Sequence, residues 1–179
     1  MTIVAHPTET SPATVAADFL APGVDSSWDH TDWQRVWLRT QRLQWRTLAL
    51  VPGDERVSTL DVATIIARLA FDHGEMLRVA DTRGLRPKDV EAFLYGCRWE
   101  TDQGKRIVFA TWSTSTNAVT VPIARAADCV ILCASMGSTS LKDIRSTVDD
   151  VGKEYFHGSL LVRPSTSGHA ILAPAAAGA

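Results

Sequence analysis

Two adjacent hydroxyls, Ser58 and Thr59, stand where an apolar run gives way to a segment of helical periodicity, and Asp81 closes a second apolar run downstream. A hydroxyl pair at a strand-to-helix turn is one part of a phosphate and Mg²⁺ site. The complete site also needs glycines, so that backbone N–H groups can wrap the phosphates, and a lysine that reaches the terminal phosphate. Aligned on Ser58-Thr59, Arg56 stands at the position of the second glycine, Val57 at that of the lysine and Val51 at that of the first small residue. Valine carries no charge to hold a phosphate. Arg56 is a cation, but its Cβ restricts the backbone that a close wrap requires. The remnant pocket is therefore Arg56, Ser58, Thr59 and Asp81, with no cofactor expected and ATP with Mg²⁺ bound weakly at most. Asp81 has two readings: an acid at the carboxyl edge of an α/β sheet, where ligands bind, or an acidic turn-former.

Other reactive residues make weaker claims. His73 falls at a helix end and His157 beside a glycine turn, and neither is arranged with a Ser, Cys or carboxylate for nucleophilic work, so both read as structural. Ser113–Asn117 is a solvated polar loop whose hydroxyls could hold a small anion. Cys97, Cys129 and Cys133 form no CxxC pair, and two lie in an apolar run. They read as core thiols, with neither a disulfide nor zinc expected.

The elements that would position this site follow from pattern. Thr47–Val51 is a strand stopped by Pro52-Gly53, and Ser58 caps a helix whose Val62, Ile65, Ile66 and Leu69 recur at helical spacing. Gly74 ends that helix, and Met76–Ala80 forms the next strand. Thr82–Pro87 is a turn, Lys88–Gly96 a short helix ended by its glycine, and Arg98–Lys105 a polar connection. Arg106–Thr111 and Cys129–Cys133 are continuous apolar strands separated by a helix, Val119–Ala127, with Pro122 near its first turn. Ser140 and its neighbours cap a helix over Leu141–Gly152, and Ser159–Val162 is a fifth strand. This alternation predicts an α/β fold of three layers, a mainly parallel sheet of about five or more strands with helices on both faces.

At 179 residues, 45% hydrophobic and 21% charged, the chain suits one globular domain. Residues 1–29 read as a flexible arm, 30–164 as the domain and 165–179 as a flexible tail. A net charge of −2 and a pI near 6.2 give no basic field to attract nucleic acid. No apolar run approaches the roughly 20 residues that span a bilayer, and the N-terminus lacks signal-peptide order, so a cytoplasmic location is expected.

Thr31–Arg46 carries Trp33, Val36, Trp37, Leu38, Leu43 and Trp45 among Arg35, Arg39, Arg42 and Arg46. It reads as a basic amphipathic helix capped by Thr31 or Asp32, with the tryptophans on the sheet. Its arginines are either solvated or face a protein partner or an acidic membrane surface.

In motif order, Asp32 to Arg163 resembles the cytoplasmic domain of bacterial tyrosine kinases and polysaccharide chain-length regulators, in the deviant P-loop class that includes MinD and ParA. The family's Gly-Lys-Ser-Thr is matched by Ser58-Thr59, and its Asp-x-Asp-x-Arg-x-Pro by Asp81, Arg83 and Pro87 in altered spacing. Its strand ending Asp-Thr-Pro-Pro is matched by Ile107–Ser113, with Ala110 in place of the metal-organising aspartate. Ala127-Asp128 and the strand after it resemble the family's Ala-Asp-x-hydrophobic strand, and Phe156–Val162 its last Gly-led strand. The Glu-x-x-Arg-x-x-Arg oligomerisation motif is answered by Asp32, Arg35 and Arg39, with one extra residue between the arginines. The kinases' C-terminal tyrosine cluster has no counterpart here, since the only tyrosines are Tyr95 and Tyr155.

The resemblance, with these losses, implies a P-loop NTPase-like fold and a non-catalytic, pseudokinase-like regulatory or scaffold subunit of bacterial exopolysaccharide synthesis and export. Its implied partner is a membrane polysaccharide co-polymerase or other export protein, with a homo-oligomer also in view. Two alternatives stay open: a divergent ATPase or tyrosine kinase using Arg56, Ser58, Thr59 and Asp81, and a MinD/ParA-like positioning factor.

Overall fold

The computed structural model describes residues 31–164 and 170–172, so the arm expected over residues 1–29 lies outside the described residues. In chain order the elements are α1 (Thr31–Gln41), β1 (Thr47–Pro52), α2 (Thr59–Asp72), β2 (Leu77–Asp81), α3 (Val90–Asp102), β3 (Arg106–Ala110), α4 (Thr120–Ala126), β4 (Cys129–Ser135), α5 (Leu141–Val151), β5 (Phe156–Pro164) and β6 (Ala170–Leu172). Short 3₁₀ turns at Pro87–Asp89 and Lys153–Tyr155 lead into α3 and β5.

The strands form one sheet in the order β2-β3-β1-β4-β5-β6. The first five are parallel, and β6 pairs antiparallel to β5. β1 is central, with Leu50 opposite Ala110 on β3 and Ile131 on β4. Alternation along β1 sends Leu48 and Leu50 to the face covered by α1 and α2, and Ala49 and Val51 to the face covered by α3, α4 and α5. A strand covered on both faces must be apolar throughout, which is why these strands read as unbroken runs rather than alternating ones. The result is the three-layer, P-loop-NTPase-like α/β arrangement that the pattern predicts.

β4 and β5 extend a few residues beyond the expected runs, to Cys129–Ser135 and Phe156–Pro164, and three larger differences stand out. α1 stops at Gln41 rather than Arg46: a tightened turn bonds Leu43 N–H to Thr40 O and Gln44 N–H to Gln41 O, and Gln44 adopts φ +46°. That turn brings Trp45 back into the core, where it is 2% exposed. α3 runs straight through Gly96 to Asp102, so the polar connection expected at Arg98–Lys105 is largely helix. Its buried stripe of Val90, Cys97 and Thr101 continues past the glycine, and one helical glycine costs only about 1 kcal/mol against alanine. The helix is ended instead by Gly104 at φ +82°. Within the expected C-terminal tail, Ala170–Leu172 forms β6.

Two side-chain clamps hold the amino end of the sheet. Asp128 Oδ2 accepts from the N–H groups of Arg46 (2.9 Å) and Thr47 (2.8 Å) and from the Thr47 hydroxyl (2.9 Å), tying β1 to the chain entering β4. Burial alone would raise the carboxyl pKa, but these donors outweigh it and hold it below the ordinary aspartate value. Arg106 lays its guanidinium over Trp45 at 3.9 Å and Trp37 at 5.7 Å, and donates to Gln41 Oε1 (2.8 Å) and Glu75 Oε2 (2.5 Å). It thereby fastens α1, through Trp37 and Gln41, and the turn after it, through Trp45, to β3. Trp33 and Trp37 are buried in the core cluster that α1 and α2 share with Leu48 and Leu50 of the sheet.

Candidate functional site

In an open α/β sheet the ligand crevice lies beyond the carboxyl ends of the strands, where neighbouring connections leave toward opposite faces. Here that point is the end of β1, flanked by β3 and β4. The β1 connection crosses to α2 on one face and the β3 connection to α4 on the other. The loops after β1, β2, β3 and β4 therefore converge, and they bring Arg56, Ser58, Thr59, Asp81 and Ala110 to one edge of the sheet.

The loop after β1 is pinned close to β4. Gly53 N–H donates to Cys133 O at 2.8 Å, and a Cβ on Gly53 would lie 3.0 Å from Thr139 Cγ2. Asp54 Oδ1 accepts from Arg56 N–H (2.9 Å), and the Arg56 guanidinium turns across the crevice to donate to Ser138 O (2.9 Å). Val57, at the lysine position, is 5% exposed and belongs to the core beneath α2. A side chain at that position points into apolar packing.

Both hydroxyls are already committed. Ser58 Oγ caps α2 by accepting from Asp61 N–H at 3.3 Å, as the sequence predicts. Thr59 Oγ1 donates to Thr111 O at 2.6 Å, and Thr111 Oγ1 in turn donates to Leu50 O at 2.9 Å. Thr59 and Thr111 are each 1% exposed. This chain of bonds stitches α2, β1 and the β3 loop together and turns the Thr59 hydroxyl away from solution.

The β3 loop is bonded to the loop after β1 and to α5. Ser113 Oγ bonds with Ser115 Oγ (2.9 Å) and Thr116 Oγ1 (2.7 Å), and Thr116 Oγ1 donates to Glu55 Oε1 (2.6 Å). Thr114 Oγ1 reaches Asp150 Oδ2 at 2.7 Å. The hydroxyls considered as an anion site thus serve the protein's own carboxylates. Asp81, in register with Ala110, is gripped by Arg83: Nε donates to Oδ1 and Nη2 to Oδ2, both at 2.8 Å, and the Arg83 N–H adds a third bond at 3.0 Å. This fork holds the Asp81 carboxyl below its ordinary pKa against the opposing effect of burial. Arg83 also stacks on Trp112 at 5.2 Å. Sequence reasoning matched Arg83 to a family motif but missed this grip; the i, i+2 spacing across an acidic turn was the available signal.

The second candidate surface is the outer side of α1. Arg35, Leu38, Arg39 and Arg42 are exposed, and Arg35 Nη1 donates to Asp32 Oδ1 at 3.1 Å. Arg35 and Arg39 therefore share one open surface, and Asp32, its side chain 14% exposed, lies at the edge of it and pairs with Arg35.

The remaining candidates are held in contacts within the fold. His73 forms the C-cap of α2, stacks on Trp37 and meets Gln34 Oε1 at 3.0 Å. His157 Nδ1 accepts from Val130 N–H at the β4–β5 register shift. Cys97, Cys129 and Cys133 are buried free thiols. Burial pushes Cys129 up to about 11 and Cys133 up to about 12, which leaves both unreactive near neutrality. Among the described residues, no group of three or more His, Cys, Asp or Glu could hold a metal ion, and no helix is long and apolar enough to cross a membrane. Compared with known families and with characterised proteins, the sequence matches no family model and no curated protein.

Proposed function

We propose that this chain is a non-catalytic regulatory or scaffold subunit, in which a P-loop-NTPase-like sheet has exchanged nucleotide binding for protein binding. The observation that carries this reading is the engagement of the hydroxyl pair: Ser58 Oγ, which follows the lysine position and would face a metal ion, caps α2 by accepting from Asp61 N–H, and Thr59 Oγ1 is buried and donates to Thr111 O. Val57 packed in the core, Ala110 opposite Asp81 and the Arg83 fork on Asp81 support it further. The setting, exopolysaccharide synthesis and export at the cytosolic side of a membrane co-polymerase, rests on the motif resemblance alone. In this reading Arg35 and Arg39 on α1 dock carboxylates of that partner.

Calorimetry with Mg-ATP at about 50 μM protein should show no binding tighter than about 100 μM, a bound of roughly −5.5 kcal/mol. A micromolar isotherm that Asp81→Ala abolishes would overturn the reading and assign the chain to the divergent ATPases.

A further inference from the structure

Helix α3 turns an unusual surface to solvent. Tyr95 and Trp99, one turn apart, are 75% and 61% exposed. Beside them Ala92 and Gly96 are also exposed, and a Cβ added at Gly96 would meet nothing within 4 Å. The inward side of the helix is satisfied separately: Val90, Cys97 and Thr101 are buried, Phe93 packs edge-on to Phe109, and Glu100 receives Arg78 at 2.7 Å. The outer surface therefore alternates two bulky aromatic side chains with two positions that lack bulk.

We infer that this surface is a self-association site, on which a second copy of the chain packs α3 antiparallel against α3. The fit follows from the residue numbers. In an antiparallel pair centred between Tyr95 and Gly96, the two-fold axis sets each flank of α3 against the same flank of the other copy, so that Trp99 meets the other copy's Ala92, the two Tyr95 rings meet each other near the axis, and Gly96 faces Gly96 on the opposite flank. Trp99 thus falls on a small residue twice over, and the two Tyr95 rings close the centre of the pair, as an isologous interface allows. Charge agrees with shape. Glu91 and Arg98 lie on the same flank of α3, both exposed, with no ion pair to either given by the described residues. In this register, Glu91 of one copy lies about two residues along the axis from Arg98 of the other, roughly 3 Å at helical rise, so that two symmetric ion pairs form.

A generic partner would need neither this spacing of large and small residues nor opposite charges at mirror positions. The four rings in the pair remove on the order of 500 Å² of aromatic surface from water, which suits micromolar association more than an obligate dimer. The site lies on the face opposite α1 and is independent of the nucleotide crevice and of Arg35 and Arg39.

Sedimentation velocity on the full chain from about 1 to 200 μM should show a monomer–dimer equilibrium in that range. Gly96→Glu and Trp99→Ser should each weaken it at least tenfold, with circular dichroism unchanged because both positions are exposed. Glu91→Arg should weaken it too, whereas the double variant Glu91→Arg with Arg98→Glu exchanges the two signs and should restore it. A chain monomeric at every concentration would overturn the inference. So would a dimer indifferent to Gly96→Glu, a double variant no better than Glu91→Arg alone, or a dimer lost only with Arg35→Ala and Arg39→Ala, which would place the contact on α1.

Discussion

Replacing Thr59 by valine tests whether the hydroxyl belongs to the fold or to a ligand. The substitution keeps the branched shape and removes one donor, leaving the Thr111 carbonyl unpaired where both residues are 1% exposed. An orphaned buried acceptor costs about 1–3 kcal/mol. With a midpoint of about 2 kcal/mol, a chain of this size should lose roughly 4–8 °C in Tm. Differential scanning calorimetry in EDTA and again with about millimolar Mg-ATP separates the two roles, because a structural bond costs the same in both buffers. If Thr59→Val melts within a degree of the wild type in EDTA, and only the wild type gains stability with Mg-ATP, the hydroxyl is a ligand-facing group and the structural assignment fails.

Two further substitutions probe the clamps at the amino end of the sheet. Asp128→Ala should destabilise by about 1–2 kcal/mol at neutral pH, the lower part of the range for charge-assisted bonds because the carboxylate is partly open to water. Because the folded Asp128 pKa is depressed, its contribution is present above the unfolded value near 4 and is lost as pH falls through the folded value. Wild type and variant stabilities from urea titrations should therefore converge below about pH 4, and a difference that grows on acidification would refute the assignment. Arg106→Met should cost about 2–3 kcal/mol by removing the stack on Trp45 and orphaning Gln41 Oε1 and Trp45 O. Tryptophan emission and far-UV circular dichroism followed through urea unfolding should both shift to lower denaturant, and an unshifted emission midpoint would show that α1 does not depend on this residue.

What the sequence made legible depended on how local the cause was. β1, β3 and β4 stood out because burial on both faces forces an unbroken apolar run, and Ser58 stood out because an N-cap bonds within its own turn. Gly96 misled because its local preference is weak, and the stripe continuing to Cys97 and Thr101 overrides it. β6 was invisible because three residues are too few to display a period, and their pairing with β5 is a tertiary choice. The crevice was legible in its omissions, Val57 and Ala110, but not in what replaced them. The bond from Thr59 to Thr111, and that from Thr116 to Glu55, each join residues far apart in the chain through the register of β3 beside β1.

Those replacements determine more than the missing lysine does. In the proposed non-catalytic reading, a phosphate at the head of α2 competes with the bonds of Arg56 to Ser138 O, Thr116 to Glu55 and Thr59 to Thr111 O. At about 0.5–1.5 kcal/mol net for each bond, the displacement alone costs roughly 1.5–4.5 kcal/mol, on the order of ten- to a thousand-fold in affinity. The freed Glu55 carboxylate would then stand beside the incoming anion and repel it. A lysine at position 57 could not compensate, because that side chain points into the core and its charge would be buried without a partner. In the proposed non-catalytic reading, the crevice is held by a connected set of bonds rather than spoiled by the lack of one residue, and opening it calls for changes on the loops after β1, β3 and β4 together.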